Sequence, residues 1–115
     1  LELDENLAEA HGSMGQYLAN FKYDKYGAER EFKRAIELNR NYASAYQWYA
    51  ELLEEEGKFD EALVQIRLAA ELDPLSRVIR NIEGRTLFLA GRYDEAITRF
   101  KKNIDFEPDW GGDHD

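Results

Sequence analysis

The chain has 115 residues, 43% of them hydrophobic, with no cysteine and a formal net charge of −9. One compact unit is all that this length requires, the lack of thiols excludes disulfides and thiolate metal centres, and the acidic balance argues against general nucleic-acid binding, which needs lysine and arginine against phosphates. No apolar run approaches membrane length and no signal peptide is visible, so cytoplasm is the default expectation, with no membrane partner.

Taken in chain order, helical spacing predicts elements at 6–20, 24–38, 43–56, 59–72, 76–90 and 93–106. The stretch "FKYDKY" reads as the turn between the first two. In the third, Ala45, Trp48, Tyr49, Leu52 and Leu53 recur at helical intervals, and Gly57 then supplies the left-handed residue that ends a helix. The fourth opens on Asp60 and Glu61, negative charge at the positive end of the helix dipole. Its apolar stripe is Ala62, Ile66, Ala69 and Leu72, and Asp73 with Pro74 stops it, because proline has no amide proton to continue the ladder.

The elements repeat. "GKFDEALVQIRLAAELDP" at 57–74 returns as "GRYDEAITRFKKNIDFEP" at 91–108, and Ala28, Ala62 and Ala96 share the step of 34, as do Phe32, Ile66 and Phe100, and Leu38, Leu72 and Phe106. Ala35 and Ala69 continue the pattern, while Asn103 stands where a third alanine is due. Gly15, Ala50 and Gly84 align in the first helix of each pair, with one extra residue between Gly15 and Ala28. A period of this size is the signature of stacked units, and small residues at fixed places let two helices cross closely while larger neighbours fill the groove beside them.

A 34-residue helix–turn–helix with small, aromatic, alanine and proline positions in this order resembles the tetratricopeptide repeat (TPR). The resemblance covers almost the whole chain, most regularly over 43–108 and less so over 8–42. Departures are Glu83 where the family usually has leucine, Asn103 for alanine, and Arg40 for the proline that closes the first repeat. A finer similarity, to TPR regions of prokaryotic signalling and transcription-regulatory proteins, rests on residues 26–63. The resemblance implies an all-α fold, a right-handed α-solenoid of antiparallel helix pairs with about three units, at 8–42, 43–76 and 77–110. Residues 111–115 would be a tail or the start of a truncated further repeat. "LELDENLAEAH" begins as if finishing an earlier unit, with Leu3 and Asp4 in the places of Leu72 and Asp73, so the chain reads as a stretch of a longer array.

In such an array the first helix of each pair lines the concave side. Spacings of four and three then select a candidate peptide-binding stripe: Gln16 with Asn20, after Gly12 and beside Ala19; Gln47, Glu51 and Glu54 with Glu55; and Asn81, Arg85 and Phe88 with Leu89. Amides suit contacts to an extended backbone, Phe88 offers an apolar seat, and Arg85 can grip a carboxylate or neutralise Glu51. Segment 43–76 carries Glu51, Glu54, Glu55, Glu56, Asp60, Glu61, Glu71 and Asp73 against Lys58 and Arg67, whereas 22–42 is slightly basic. Such charges serve solubility in most proteins; the sharper reading is an acidic groove that prefers a basic peptide. One TPR subclass holds the carboxyl terminus of heat-shock chaperones in a clamp of lysines, arginines and asparagines. The matching positions here are Gly12, Gln16, Trp48, Val78 and Ile82, none a cationic donor, so that function is not implied.

Chemistry is not indicated. His11 and His114 belong to opposite ends, Ser13, Ser44 and Ser76 have no patterned histidine partner, and no glycine-rich phosphate loop follows a strand. The acidic tail around His114 reads as a chain end and not as a metal site. Tyr17, Phe21, Tyr23, Tyr26, Tyr42, Tyr46, Trp48, Tyr49, Phe59 and Tyr93 are expected to be mostly packing residues, with Tyr46 and Trp48 set apart because such close positions on a helix cannot all point inward. The sequence therefore predicts a non-catalytic protein-binding module without cofactor or metal. The alternative is a structural spacer or self-associating segment, suggested by Ile97, Phe100 and Ile104 on the last helix with no next repeat over them and Trp110 as a partial lid.

Overall fold

The computed structural model describes residues 2–105, with side chains described from residue 6 onward. Phe106, Trp110, His114 and the 111–115 segment lie outside the described residues, as do the side chains of Leu3 and Asp4. Six helices follow one another: α1 (Glu2–Asn20), α2 (Lys25–Leu38), α3 (Ala43–Glu55), α4 (Phe59–Leu72), α5 (Arg77–Leu89) and α6 (Tyr93–Asp105). There is no strand among the described residues. Turns too short for any other geometry fold α1 on α2, α3 on α4 and α5 on α6, and the pairs stack through α2 with α3 and α4 with α5. The result is an all-α solenoid of helix pairs.

Helix ends follow local chemistry. Asp24 caps α2 by accepting from the Gly27 amide at 2.9 Å, and Ser76 caps α5 by accepting from the Ile79 amide at 3.2 Å. Helices α4 and α6 use first-turn acid instead, Asp60 with Glu61 and Asp94 with Glu95. Gly57 and Gly91 close the α3–α4 and α5–α6 turns at φ 78° and 83°. The corresponding residue between α1 and α2, 34 positions before Gly57, is Tyr23, held at φ 55°. One boundary differs from expectation: α1 runs unbroken through Leu3 and Asp4, where the analogy with Leu72 and Asp73 anticipated a stop. The stop after Leu72 depends on Pro74, and its counterpart Glu5 keeps its amide donor, so nothing ends the helix there.

The core runs the length of the array as one cluster containing Ala28, Phe32, Tyr49, Ala50, Leu53, Ala62, Ile66, Ala69, Ile79, Ile82, Leu87 and Ala96. Gly15 and Gly84 are contact points between paired helices: a Cβ on Gly15 would lie 2.5 Å from Phe32 Cε1, and one on Gly84 would lie 2.5 Å from Phe100 Cε1. Two of the three departures from the repeat pattern, Glu83 and Asn103, are buried polar groups with partners, while Arg40 is exposed. Glu83 is 5% exposed and takes Arg67 Nε at 3.3 Å and Arg99 Nε at 3.5 Å. Asn103 donates to the Arg80 carbonyl at 3.1 Å and to Asn81 Oδ1 at 3.0 Å, and accepts from Arg80 Nε at 3.1 Å. The aromatics divide more evenly than expected. Tyr46 and Tyr49 are buried and Tyr42, Trp48 and Phe59 partly so, but Tyr17, Phe21, Tyr23, Tyr26 and Tyr93 are exposed. Most of the exposed ones sit on α1 and the turn that follows it.

Candidate functional site

The expected stripe is carried by α1, α3 and α5. Between α1 and α3 it forms a shallow cleft of about 30 Å³ lined by Gln16, Ala19, Asn20, Phe32, Trp48, Glu51, Leu52 and Glu55. That volume admits the tip of one side chain, about the size of a water molecule. Four of the nine stripe residues, Gln16, Asn20, Glu51 and Glu55, thus meet in one place. Trp48 floors it because Gly12 lets the indole in: a Cβ on Gly12 would come within 3.0 Å of the ring, which also rests against Phe32 and Tyr42 at centroid distances of 6.2 and 6.0 Å. Trp48, Phe32 and Leu52 are lining residues that the polar stripe omitted, and for Trp48 the alternation with Tyr46 was the signal: Tyr46 turns inward to bond the Arg40 carbonyl at 3.1 Å.

The electrostatics of the cleft follow from its neighbours. Burial pushes the Glu51 carboxyl above the ordinary glutamate range, Glu54 and Glu55 add to the rise, and Arg85 and a hydrogen bond from Gln47 oppose it without cancelling it. Arg85 itself bonds Glu54, with Nε at 3.0 Å and a terminal nitrogen at 2.8 Å, and Glu54 also accepts the Thr86 hydroxyl at 2.8 Å. Glu54 is therefore committed to holding α5 against α3, while Glu51 has no such direct ion pair. The remaining stripe residues lie apart. Asn81 is exposed but its carbonyl is engaged by Asn103 of α6, and Phe88, half exposed, meets Tyr93 edge-on at 5.2 Å.

Larger hollows lie on another side. Two of about 280 and 300 Å³ share Arg67, Glu83 and Arg99 between α4, α5 and α6, and their charges pair with one another, Arg67 reaching Glu95 at 3.6 Å as well as Glu83. His11 lies in the first helix pair, its Nδ1 2.6 Å from Glu31 Oε1. Among the described residues no group of histidine, aspartate and glutamate is arranged to hold a metal, and no helix is long and apolar enough to cross a membrane.

An open line of stacked helix pairs with a polar cleft on its first helices defines a helical-repeat protein. The family model described as tetratricopeptide repeat matches residues 31–64. The chain is 30% identical over 106 residues to small glutamine-rich tetratricopeptide repeat-containing protein 2 of Mycosarcoma maydis, a match that covers 91% of this chain and 30% of that protein's length. Among solved structures, MamA is 30% identical with a TM-score of 0.80 over 91% of this chain and 61% of that one. The TPR domain of Arabidopsis OM64 has the same fold, with a TM-score of 0.82 at 23% identity over 92% of this chain and 87% of that one. Together these matches support the tetratricopeptide-repeat family as the family of this chain, a class whose arrays generally mediate protein–protein interaction.

Proposed function

We propose that the chain binds an extended segment or helix of a protein partner along the face formed by α1, α3 and α5, in three units at 8–42, 43–76 and 77–110, and that the partner is basic. The observation that carries this reading is the α1–α3 cleft, where two amides, an indole edge and the carboxylates of Glu51 and Glu55 converge. A lysine or arginine tip would restore to Glu51 the solvation that burial removes and would face the indole ring as a cation. Gln16 and Asn20 would bond the partner backbone, in keeping with peptide recognition by helical grooves. A regulatory segment beside a signalling or transcription-regulatory domain, in the cytoplasm, is a narrower form of the same reading.

The test is a peptide array of basic, neutral and acidic sequences probed with the wild type and with the double variant Glu51→Lys, Glu55→Lys. Wild-type chain should retain basic peptides and the variant should lose them. Equal retention by both would remove the cleft as the binding site. The Glu54–Arg85 pair is left intact because it joins α3 to α5.

A further inference from the structure

Glu83 stands where leucine would fill the same space without a desolvation cost, and its charge has one visible use, to hold two guanidiniums from beneath. Its carboxylate takes Arg67 Nε of α4 at 3.3 Å through one oxygen and Arg99 Nε of α6 at 3.5 Å through the other. A guanidinium engaged through Nε keeps its terminal nitrogens for other acceptors. Both arginines line the hollows of about 280 and 300 Å³ that α4, α5 and α6 enclose within the array. Arg67 uses one terminal nitrogen only loosely, 3.6 Å from Glu95, whose carboxylate Arg92 already grips at 2.7 and 3.0 Å. Among the described residues Arg99 has no further ion pair or side-chain hydrogen bond, and Lys102, on the wall of the same hollow, has none. At the preceding junction the three equivalent positions are Lys33, Tyr49 and Gln65, one cation instead of two, and Glu29 pairs that lysine at 3.2 Å. The double fork therefore belongs to this junction and not to the stacking in general.

We propose that the hollow between α4 and α6 seats the phosphate group of a small organic monoester, gripped by Arg67, Arg99 and Lys102 and positioned by Glu83. The terminal nitrogens of two guanidiniums match phosphate oxygens in geometry, and lysine adds a point charge. Three cations over one buried carboxylate leave two positive charges, which a phosphate monoester balances near neutral pH and a single carboxylate does not. The Thr98 hydroxyl lies on the same wall, and Leu87, 2% exposed, gives the organic part an apolar surface. A volume near the lower end for ligand pockets, about 300 Å³, suits a molecule of this size. The other charged groups around the two hollows do not take the seat. Arg80 is committed to Asn103 and the Pro74 carbonyl, and Asp94 and Glu71 are exposed to solvent that screens them, Asp94 at the opposite end of the α6 wall from Lys102. None of these residues lines the α1–α3 cleft, so the outcome is independent of peptide binding.

Titration of the whole chain at fixed ionic strength, followed through its amide NMR shifts, tests this with inorganic phosphate, O-phosphoserine, acetate and chloride as probes. The amides around Arg67, Thr98 and Arg99 should move and saturate with phosphoserine, less tightly with inorganic phosphate, and stay in place with acetate and chloride. Arg99→Gln and Lys102→Gln should each weaken phosphoserine binding by about tenfold, while Arg34→Gln, which removes an arginine paired with Glu37 on α2, should not. Thermal melts check that each variant is folded. Glu83→Leu and Glu83→Gln remove the same charge, but only glutamine keeps an oxygen for the Nε atoms, so weaker binding by the leucine variant than by the glutamine variant reads positioning apart from charge and stability. The proposal is overturned by a wild type with no saturable shift, by an equal response to acetate or to inorganic phosphate, or by undiminished binding in Arg99→Gln and Lys102→Gln. Shifts spread as strongly over Lys22, Lys25 and Arg34 as over the hollow would overturn it too.

Discussion

A methyl group on Gly84 would sit 2.5 Å from Phe100, and the same conflict exists between Gly15 and Phe32. The middle unit has Ala50 at the glycine position and Ile66 at the phenylalanine position, both fully packed. Volume is thus exchanged across the helix crossing, glycine against the ring and alanine against the smaller branched chain. Gly84→Ala is expected to destabilise by about 1–3 kcal/mol through overpacking. Adding Phe100→Ile should return most of that loss, which urea melts of the single and double variants would read as a coupling energy. Tyr23 presents the opposite case, a bulky side chain that is 81% exposed and sits in the left-handed region where the equivalent turns have glycine. Tyr23→Gly loses no core packing and relieves the backbone, so it is expected to raise stability by about 0.5–1 kcal/mol, measured by thermal unfolding. No gain in melting temperature would mean that the strain is absorbed elsewhere in the turn.

At the scale of the helix, α5 is the element that departs furthest from the repeat pattern. Its Glu83 is a buried carboxylate between Arg67 of α4 and Arg99 of α6, and it ties three consecutive helices together. Desolvation of a buried charge commonly offsets what its ion pairs contribute, whereas leucine would fill the space without that cost. Arg67 is 43% exposed on its side chain and already reaches Glu95, so it would not be stranded. Glu83→Leu is therefore expected to be neutral or stabilising by about 1–2 kcal/mol in chemical denaturation. A loss of more than about 1 kcal/mol would show that the three-helix ion pair is a net stabiliser of the stack. The helices themselves were readable from spacing to within a residue or two, except at the start of α1. Capping and proline chemistry mark helix ends locally, but the partners of Glu83 and Asn103 come from 16 and 23 residues away and had no local signature.

For the whole molecule, the acidic cleft links stability to pH. The Glu51 carboxyl titrates higher in the folded chain than its ordinary value of 4.5, chiefly because it is partly buried, with Glu54 and Glu55 adding repulsion against the attraction of Arg85. A group whose folded pKa is raised holds its proton more tightly when folded. Its stabilising effect is complete below the unfolded pKa and is lost as pH rises through the folded one. Glu51→Gln should therefore be more stable than the wild type at neutral pH, and the difference should vanish when the pH is brought below the ordinary glutamate value, as paired thermal melts would show. Capture of a basic peptide should run the other way. It should weaken on acidification at a pH above the usual carboxylate range, and an unchanged affinity there would exclude Glu51 as a contact.

The sequence by itself determined the helix pairs and their step, because alanine and glycine notches, aromatic fillers and helix-stopping residues act over a few positions and recur every 34. It also indicated that Gln16 and Asn20 share one face of their helix and Glu51 and Glu55 one face of theirs, since that follows from helical geometry alone, whereas setting the two faces side by side came from the resemblance to the repeat family. Only the tertiary structure decided that these four meet in one cleft over Trp48, that Arg85 pairs with Glu54, and that Asn81 is drawn toward α6. Those outcomes depend on how one helix lies against another, which sets distances between residues far apart in the chain and leaves no trace in the spacing along either helix.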